Sequence, residues 1–269
     1  MSIPALSPVT VQAKPVAPYI GGKRNLAKRL CALIEATPHD LYAEPFVGMG
    51  GVFFRRRHAP GNEVINDLSR DVATLFRILQ RHYPQFLDVL RFQITSRAEF
   101  DRLQRVDADT LTDLERAARF LYLQRAAFGG KVNGRNFAMS KARSARFDLS
   151  RLVPMLDDVH ERLNGVTIEC LPFERFIASY DRPGALFYLD PPYWDNETDY
   201  GEGMFGREDF ARMAEALGAL KGRFILSIND RPEVRECFSG FEMMPVELAY
   251  GVSAGGATRA HELIITGGS

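Results

Sequence analysis

Ala185-Leu186-Phe187-Tyr188-Leu189-Asp190-Pro191-Pro192-Tyr193 carries the strongest fold signal in the chain. Its first five residues have the length and composition of a buried strand, and the two prolines end it by fixing φ and withholding ladder donors. The chain must turn there. A carboxylate is thereby held at the carboxyl end of a strand, where open α/β sheets keep their ligand crevices, with an aromatic ring three residues on. Asp190 and the backbone carbonyl of Pro191 are acceptors without a competing donor. Together they can take both hydrogens of an exocyclic amine and aim its lone pair at an electrophile. Tyr193 can stack on a flat base, a contact worth ~1 to 3 kcal/mol, and Trp194 extends the apolar wall. A plain surface turn, in which the aspartate only caps a strand, would use the same residues.

Upstream, residues 41–43 read as a short strand, Glu44-Pro45-Phe46-Val47-Gly48-Met49-Gly50 as a glycine loop, and residues 52–56 as a helix start. Glycines let a backbone approach a ligand closely, and a helix N-terminus offers unpaired N–H donors. Residues 63–66 read as a second strand ending in Asp67, about 20 residues after the loop, where an acid can grip ribose hydroxyls. A nicotinamide dinucleotide fold shares this plan, but its third glycine would fall at Phe53. Glu44 stands either as a satisfied strand-end acid or as the counter-charge for a ligand ammonium. Near the start, Gly21-Gly22-Lys23 opens an amphipathic helix that buries Leu26, Leu30, Leu33 and Ile34.

From residue 69 to 163 the rhythm turns helical, at 72–79, 86–92 and 114–124, which reads as an inserted domain. Its second half carries Arg119, Arg125, Lys131, Arg135, Lys141, Arg143, Arg146 and Arg151 against Asp148 alone. Interleaved are the turn formers Phe128-Gly129-Gly130 and Asn133-Gly134-Arg135-Asn136-Phe137. Arginine pairs with guanine edges, asparagine with adenine edges, and lysine meets phosphate; a solvated charged face would look similar. The sheet resumes with strands at 165–169, 224–227 and 262–265, and a helix starts at Phe173. Residues 198–206, with Tyr200, Gly201, Gly203 and Gly206, form a loop expected over the base pocket.

The tetrapeptide Asp190-Pro191-Pro192-Tyr193 resembles the catalytic motif of amino-group methyltransferases that use S-adenosylmethionine. Tyr19-Ile20-Gly21-Gly22-Lys23, the loop from Glu44 to Gly50, and Asn66-Asp67 are similar to the cofactor motifs of DNA adenine methyltransferases of the Dam type. Cofactor motifs first, catalytic motif later and a long insert between them resemble the alpha class, the D12 family. The resemblance spans nearly the whole chain after residue 17. It implies a Rossmann-like α/β methyltransferase sheet made by residues 1–68 and 164–269, with residues 69–163 as a helical target-recognition insert. It implies methyl transfer from S-adenosylmethionine to the N6 amine of a flipped-out adenine in double-stranded DNA. The implied catalytic residues are Asp190, Pro191, Pro192 and Tyr193. The implied cofactor-binding residues are Tyr19, Gly22, Lys23, Glu44, Pro45, Phe46, Gly48, Gly50, Asp67, Phe173 and Asp190. Those implied for DNA are Arg125, Lys131, Asn133, Arg135, Asn136 and Lys141, since the segment from Phe128 to Asn136 resembles the family's DNA-facing loop. One departure is Leu171-Pro172-Phe173, where family members often carry an acid before the aromatic; Glu174 or backbone must then serve the cofactor's adenine amine. An RNA adenine methyltransferase and a catalytically idle DNA-binding module are the alternatives.

Composition is compatible with this reading and limits it. At 269 residues the chain can bury a sizeable core. Lysine plus arginine equals aspartate plus glutamate at 34 each, so no global field draws it to nucleic acid or membrane, and any basic surface is local. Cys31, Cys170 and Cys237 lack metal spacing; they are expected to be buried or inert in a reducing compartment. No metal is expected. No signal peptide is read and no apolar run nears the ~20 residues that span a bilayer, so a cytoplasmic location is expected; the oligomeric state is left open, with a monomer favoured. Residues 1–16 are expected to be a loose lead-in.

Overall fold

The computed structural model describes residues 9–23, 25–138, 147–201, 203–249 and 259–268. Its centre is a sheet of β1 (Leu41–Glu44), β2 (Asn62–Asn66), β3 (Thr167–Glu169), β4 (Ala185–Leu189), β5 (Arg223–Asn229), β6 (Glu242–Ala249) and β7 (Arg259–Gly268). The strand order is β3-β2-β1-β4-β5-β7-β6. The five strands from β3 to β5 in that order are parallel, whereas β7 runs antiparallel to β5 and β6 antiparallel to β7. β1 pairs with β2 on one side and β4 on the other, so the strand order reverses there, and a crevice opens at the carboxyl ends of β1 and β4.

Side-chain alternation divides the core between the two faces. Leu186 and Tyr188 of β4 join Tyr42, Ile225 and Ile264 on one face. Ala185, Phe187 and Leu189 join Ala43, Leu226 and Leu263 on the other. The first face is covered by α1 (Ala27–Ala36) and by α2 (Arg70–Arg81), α3 (Tyr83–Arg91), α4 (Arg97–Arg105), α5 (Asp113–Ala126) and α6 (Leu149–Arg162). The second is covered by α7 (Phe173–Tyr180), α8 (Arg207–Gly218) and α9 (Pro232–Cys237). Helices α2 to α6 lie in sequence between β2 and β3, and their buried residues share one core with Tyr42, Phe53 and Ile65. That core is pinned by a buried ion cluster: Glu63 of β2 accepts from Arg56 at 2.7 Å and from both Nη atoms of Arg162 at 2.7 Å.

Several expectations need correction. The helix expected from residue 52 is a single 3-10 turn, Phe53–Arg55, after which Arg56 is extended. Phe53 and Phe54 are both buried, and Arg56 is drawn to Glu63, so no solvent face remains for a helix to present. Helix α1 begins at Ala27 rather than at the glycines, because Gly21 takes a positive φ of 73° and the Lys23 carbonyl closes a turn onto Leu26 and Ala27. Leu33 is only partly buried. β6 had no signal of its own: it carries Pro245, which the sheet edge tolerates. The part of the lead-in that is described is packed, not loose: Ala13 and Val16 are buried, and Ala13 N–H donates to the Phe54 carbonyl at 2.9 Å. Cys31 is buried, but Cys170 is exposed.

Candidate functional site

A cavity of about 1010 Å³ opens at the carboxyl ends of β1, β2 and β4. The segments that follow β1, β2, β3 and β4 leave the sheet at the same end, which is why positions far apart in sequence share one wall. Tyr19, Gly22 and Lys23 enter from the segment before α1, Pro45, Phe46 and Gly48 follow β1, Asp67 follows β2, Phe173 opens α7, and Asp190 and Pro192 follow β4. Gly203, Met204 and Phe205 of the expected loop line it too, whereas the side chain of Tyr200 lies outside the described residues.

The glycine loop has the backbone that its sequence demands. Gly48 and Gly50 sit at φ of 50° and 70°, a region that penalises other residues. A Cβ at Gly50 would lie 2.3 Å from the Phe54 ring, and one at Gly48 would lie 3.0 Å from the ring of Tyr19, which packs over the loop. Asp67 braces this loop: its Oδ2 accepts from Gly48 N–H at 2.9 Å and its Oδ1 from Ser69 N–H at 2.8 Å. Burial pushes the Asp67 carboxyl up to about 6, against the pull of those two bonds. Asn66 ties the loop to the segment ahead of α7, donating to the Pro45 and Leu171 carbonyls at 2.8 and 3.0 Å and accepting from Leu171 N–H at 2.8 Å. Phe46 and Phe173 lie with ring centroids 5.6 Å apart on the cavity wall, with Phe205 beside both.

Glu44 is buried at the end of β1, where it accepts a hydrogen bond from the Tyr42 hydroxyl, and it does not form part of the cavity wall. Burial raises its carboxyl to about 8, so at neutral pH it is held largely protonated.

The ammonium of Lys23 is buried with Asp190, its Nζ 2.9 Å from Asp190 Oδ1 and 3.7 Å from Glu262 Oε2, and it donates to the Tyr193 hydroxyl. Its described side-chain contacts are therefore with Asp190 and Tyr193 of the motif and with Glu262 of β7. The Tyr193 hydroxyl donates in turn to Glu262 Oε1 at 2.8 Å. Burial raises the Asp190 carboxyl to about 6, opposed by Lys23. Pro191 and Tyr193 are not on the cavity wall. Asn229, at the end of β5, holds the next residue by both backbone groups: Trp194 N–H donates to its Oδ1 at 2.9 Å and its Nδ2 donates to the Trp194 carbonyl at 3.0 Å.

The residues expected to face DNA divide into two groups. Lys131, Asn133 and Asn136 are exposed on the turn that follows α5. Arg125 and Arg135 are not free surface cations. Arg125 donates to the Val16 carbonyl at 2.6 Å and lines the cavity. Arg135 donates to Gln124 Oε1 at 3.2 Å with its guanidinium 5.8 Å from the Phe120 ring, and burial lowers its pKa. Arg119, from the same basic run, is buried and donates to the Leu103 carbonyl at 2.7 Å. Lys141, Arg143 and Arg146 lie outside the described residues.

Some residues of the site carried no motif. Gln124, fully buried, donates to the carbonyls of Pro18 and Gly130 at 2.9 and 2.6 Å. Ile20 N–H donates to the same Gly130 carbonyl at 3.1 Å. The turn after α5 is thus bonded directly to the segment that carries Tyr19. Lys14 and Arg55 add cations to the cavity wall. Asn229 ended one expected strand and Glu262 opened another, and the only signal they gave was a polar residue at the edge of an apolar run. Among the described residues no group of His, Cys, Asp or Glu could hold a metal ion, and no helix is long and apolar enough to cross a membrane.

Residues 19–252 match the family model described as D12 class N6 adenine-specific DNA methyltransferase. A Type II methyltransferase of Lactococcus lactis subsp. cremoris is 27% identical, over 95% of this chain and 96% of its own. Another, from Paramecium bursaria Chlorella virus NC1A, is 24% identical over 88% of this chain and 91% of its own. A DNA N-6-adenine-methyltransferase of Escherichia phage P1 is 28% identical over 91% of this chain, which corresponds to 34% of that longer protein.

Proposed function

The chain belongs to the D12 class of N6 adenine-specific DNA methyltransferases, and on that basis we propose how its cavity performs the transfer. Methyltransferases of this family generally use S-adenosylmethionine, and the residues present fit that molecule. The glycine loop brings Gly48 and Gly51, which carry no side chain, to the cavity wall, Asp67 offers carboxylate acceptors for ribose hydroxyls, and Phe46 and Phe173 offer ring faces for an adenine. Glu44, buried behind the wall and held largely protonated, would meet the ammonium of the amino acid moiety only by giving up its proton. Lys23, whose described contacts are with Asp190, would reach a cofactor carboxylate only by sharing its protons. When bound, the cofactor supplies an electrophilic methyl on a sulfonium.

The protein's part is alignment. Asp190 and the Pro191 carbonyl accept the two N6 hydrogens of an extruded adenine, which turns the nitrogen lone pair toward the cofactor's side of the cavity. Pro192 closes the wall, and Tyr193, which lies off that wall, would stack on the base once it is extruded into place. Extruding the base costs a few kcal/mol, and holding two reactants in line can supply about 7 to 11 kcal/mol of the barrier. The observation that carries this reading is that Asp190 and Pro192 line the same cavity as Gly22, Phe46, Gly48, Asp67 and Phe173.

Residues 69–163 are proposed to contain the target-recognition region, with the turn bearing Lys131, Asn133 and Asn136 as its DNA-facing part and Arg125 and Arg135 supporting it from beneath. Double-stranded DNA is the substrate in this reading, and the protein acts as a monomer in the cytoplasm. Asp190→Ala, assayed by tritium transfer from S-adenosylmethionine to unmethylated plasmid DNA, should abolish methylation while cofactor binding stays measurable. Retained turnover would overturn the assignment, and equal labelling of an RNA acceptor would redirect it to RNA.

A further inference from the structure

We propose that Glu262, on β7, is a positioning residue for adenine methylation: it fixes the Tyr193 ring and the Lys23 ammonium against Asp190. The proposal rests on Asp190 and Tyr193 holding the target base. Glu262 is outside the cavity wall and outside every motif that first marked the site. It is nevertheless buried at the heart of the polar cluster, with 2% of its surface exposed. A buried carboxylate is unfavourable unless it is paired, and here the pairing is specific. Lys23 donates to the Tyr193 hydroxyl, the hydroxyl donates to Glu262 Oε1 at 2.8 Å, and Lys23 Nζ stands 3.7 Å from Glu262 Oε2. The phenol oxygen is thus held by two partners, with the Lys23 ammonium 4.0 Å from the ring centroid, which restricts both the tilt and the depth of the ring.

The second effect is electrostatic. One ammonium is shared by two carboxylates, at 2.9 Å from Asp190 and 3.7 Å from Glu262. Asp190 is therefore less neutralised than in a one-to-one pair, and stays a stronger acceptor for the N6 hydrogens. The groups that face Asp190 are Lys23 ahead of α1, Glu44 at the end of β1, Tyr188 of β4 and Glu262 of β7. Of these, Lys23 favours its ionised form and Glu262 opposes it.

Glu262→Gln keeps the shape and removes the charge. With unmethylated plasmid DNA as acceptor, kcat should fall about a hundredfold, the cost of a small misplacement of a reacting group. The KM for S-adenosylmethionine should change less than about twofold, since Glu262 itself is off the cavity wall and Lys23 keeps its closer partner Asp190. The acid limb of the kcat profile should move to lower pH: burial is the main cause that raises the Asp190 carboxyl, and the Glu262 charge that adds to it is gone. Tyr193→Phe keeps the stacking ring and removes only the link, so it should lower kcat at unchanged cofactor affinity. In that background Glu262→Gln should cost much less than in the parent chain. A kcat within about twofold of the parent for Glu262→Gln, or full activity in Tyr193→Phe, overturns the proposal. An identical loss in both backgrounds with an unmoved acid limb assigns Glu262 a purely structural role and also overturns it. Failure of the underlying base-pocket reading looks different: Asp190→Asn would then retain turnover.

Discussion

Asn229 and Glu262 lie directly opposite each other in the β5–β7 register, and between them they hold two consecutive residues of the loop that follows Asp190. Asn229 binds the backbone of Trp194, and Glu262 the hydroxyl of Tyr193. Opposed residues of an antiparallel pair point to the same side of the sheet. One rung of the ladder therefore sets the position of the Asp190 loop from below, and a rung is far stiffer than the loop.

Removing half of that rung should separate stability from turnover. Asn229→Ala deletes two hydrogen bonds to the Trp194 backbone and should cost about 1 to 3 kcal/mol in denaturant unfolding. Methylation should fall about tenfold, because the loop carrying Asp190 and Tyr193 then moves, while cofactor affinity by titration stays close to the parent value.

Glu44 links folding to a proton. Its carboxyl has an ordinary value of 4.5 and is raised by burial to about 8 in the folded protein. The folded state thus binds the proton more tightly, so stability is fully present below pH 4.5 and is lost as pH rises through about 8. Glu44→Gln should flatten the decline of Tm over that window. If the cofactor's ammonium meets Glu44, binding at pH 7 should release a proton, seen as a calorimetric enthalpy that varies with the ionisation enthalpy of the buffer. Glu44→Gln should remove that variation, and a buffer-independent enthalpy for the parent chain would rule the contact out.

Gly50 tests the loop backbone. Its φ is 70°, and the Phe54 ring would stand 2.3 Å from a Cβ at this position, which leaves no room for alanine. Gly50→Ala should weaken S-adenosylmethionine binding at least about tenfold and lower stability by about 1 to 3 kcal/mol. Gly61→Ala is the matching control: no atom lies within 4 Å of its Cβ position and it should bind cofactor normally.

Lys131 tests the turn after α5. It is exposed, so Lys131→Ala should weaken binding to any duplex about equally and reduce the salt slope of log K by about 1. Cofactor affinity should not change. An unaltered salt slope would place the DNA path elsewhere.

The core was legible where a local rule decided it. The run from Ala185 to Leu189 is a strand with the bounds its composition gave, and Asp190 follows it because prolines cannot continue the ladder. Gly48 and Gly50 occupy the positive φ values that their loop required. The helix expected from residue 52 failed because Phe53, Phe54 and Arg56 are all claimed by the interior, a long-range demand invisible in a five-residue window. Arg119, Arg125 and Arg135 read as a basic face because composition cannot tell a solvated guanidinium from one satisfied by a distant carbonyl. Gln124, Asn229 and Glu262 gave almost no signal, since each is a single polar residue whose partners lie far away along the chain.

Residue order alone dictates the succession of motifs, the strands that present them and the kind of chemistry they serve, because period-two burial, proline and glycine act within a few residues. It took the folded chain to bring Lys23 to Asp190 and Tyr193 across 170 residues, and to set Glu262 beneath them. Such contacts depend on how the sheet is ordered, with β7 placed antiparallel beside β5. A buried charge must find a partner, and which partner it finds is set by which strand ends the fold brings to the same level.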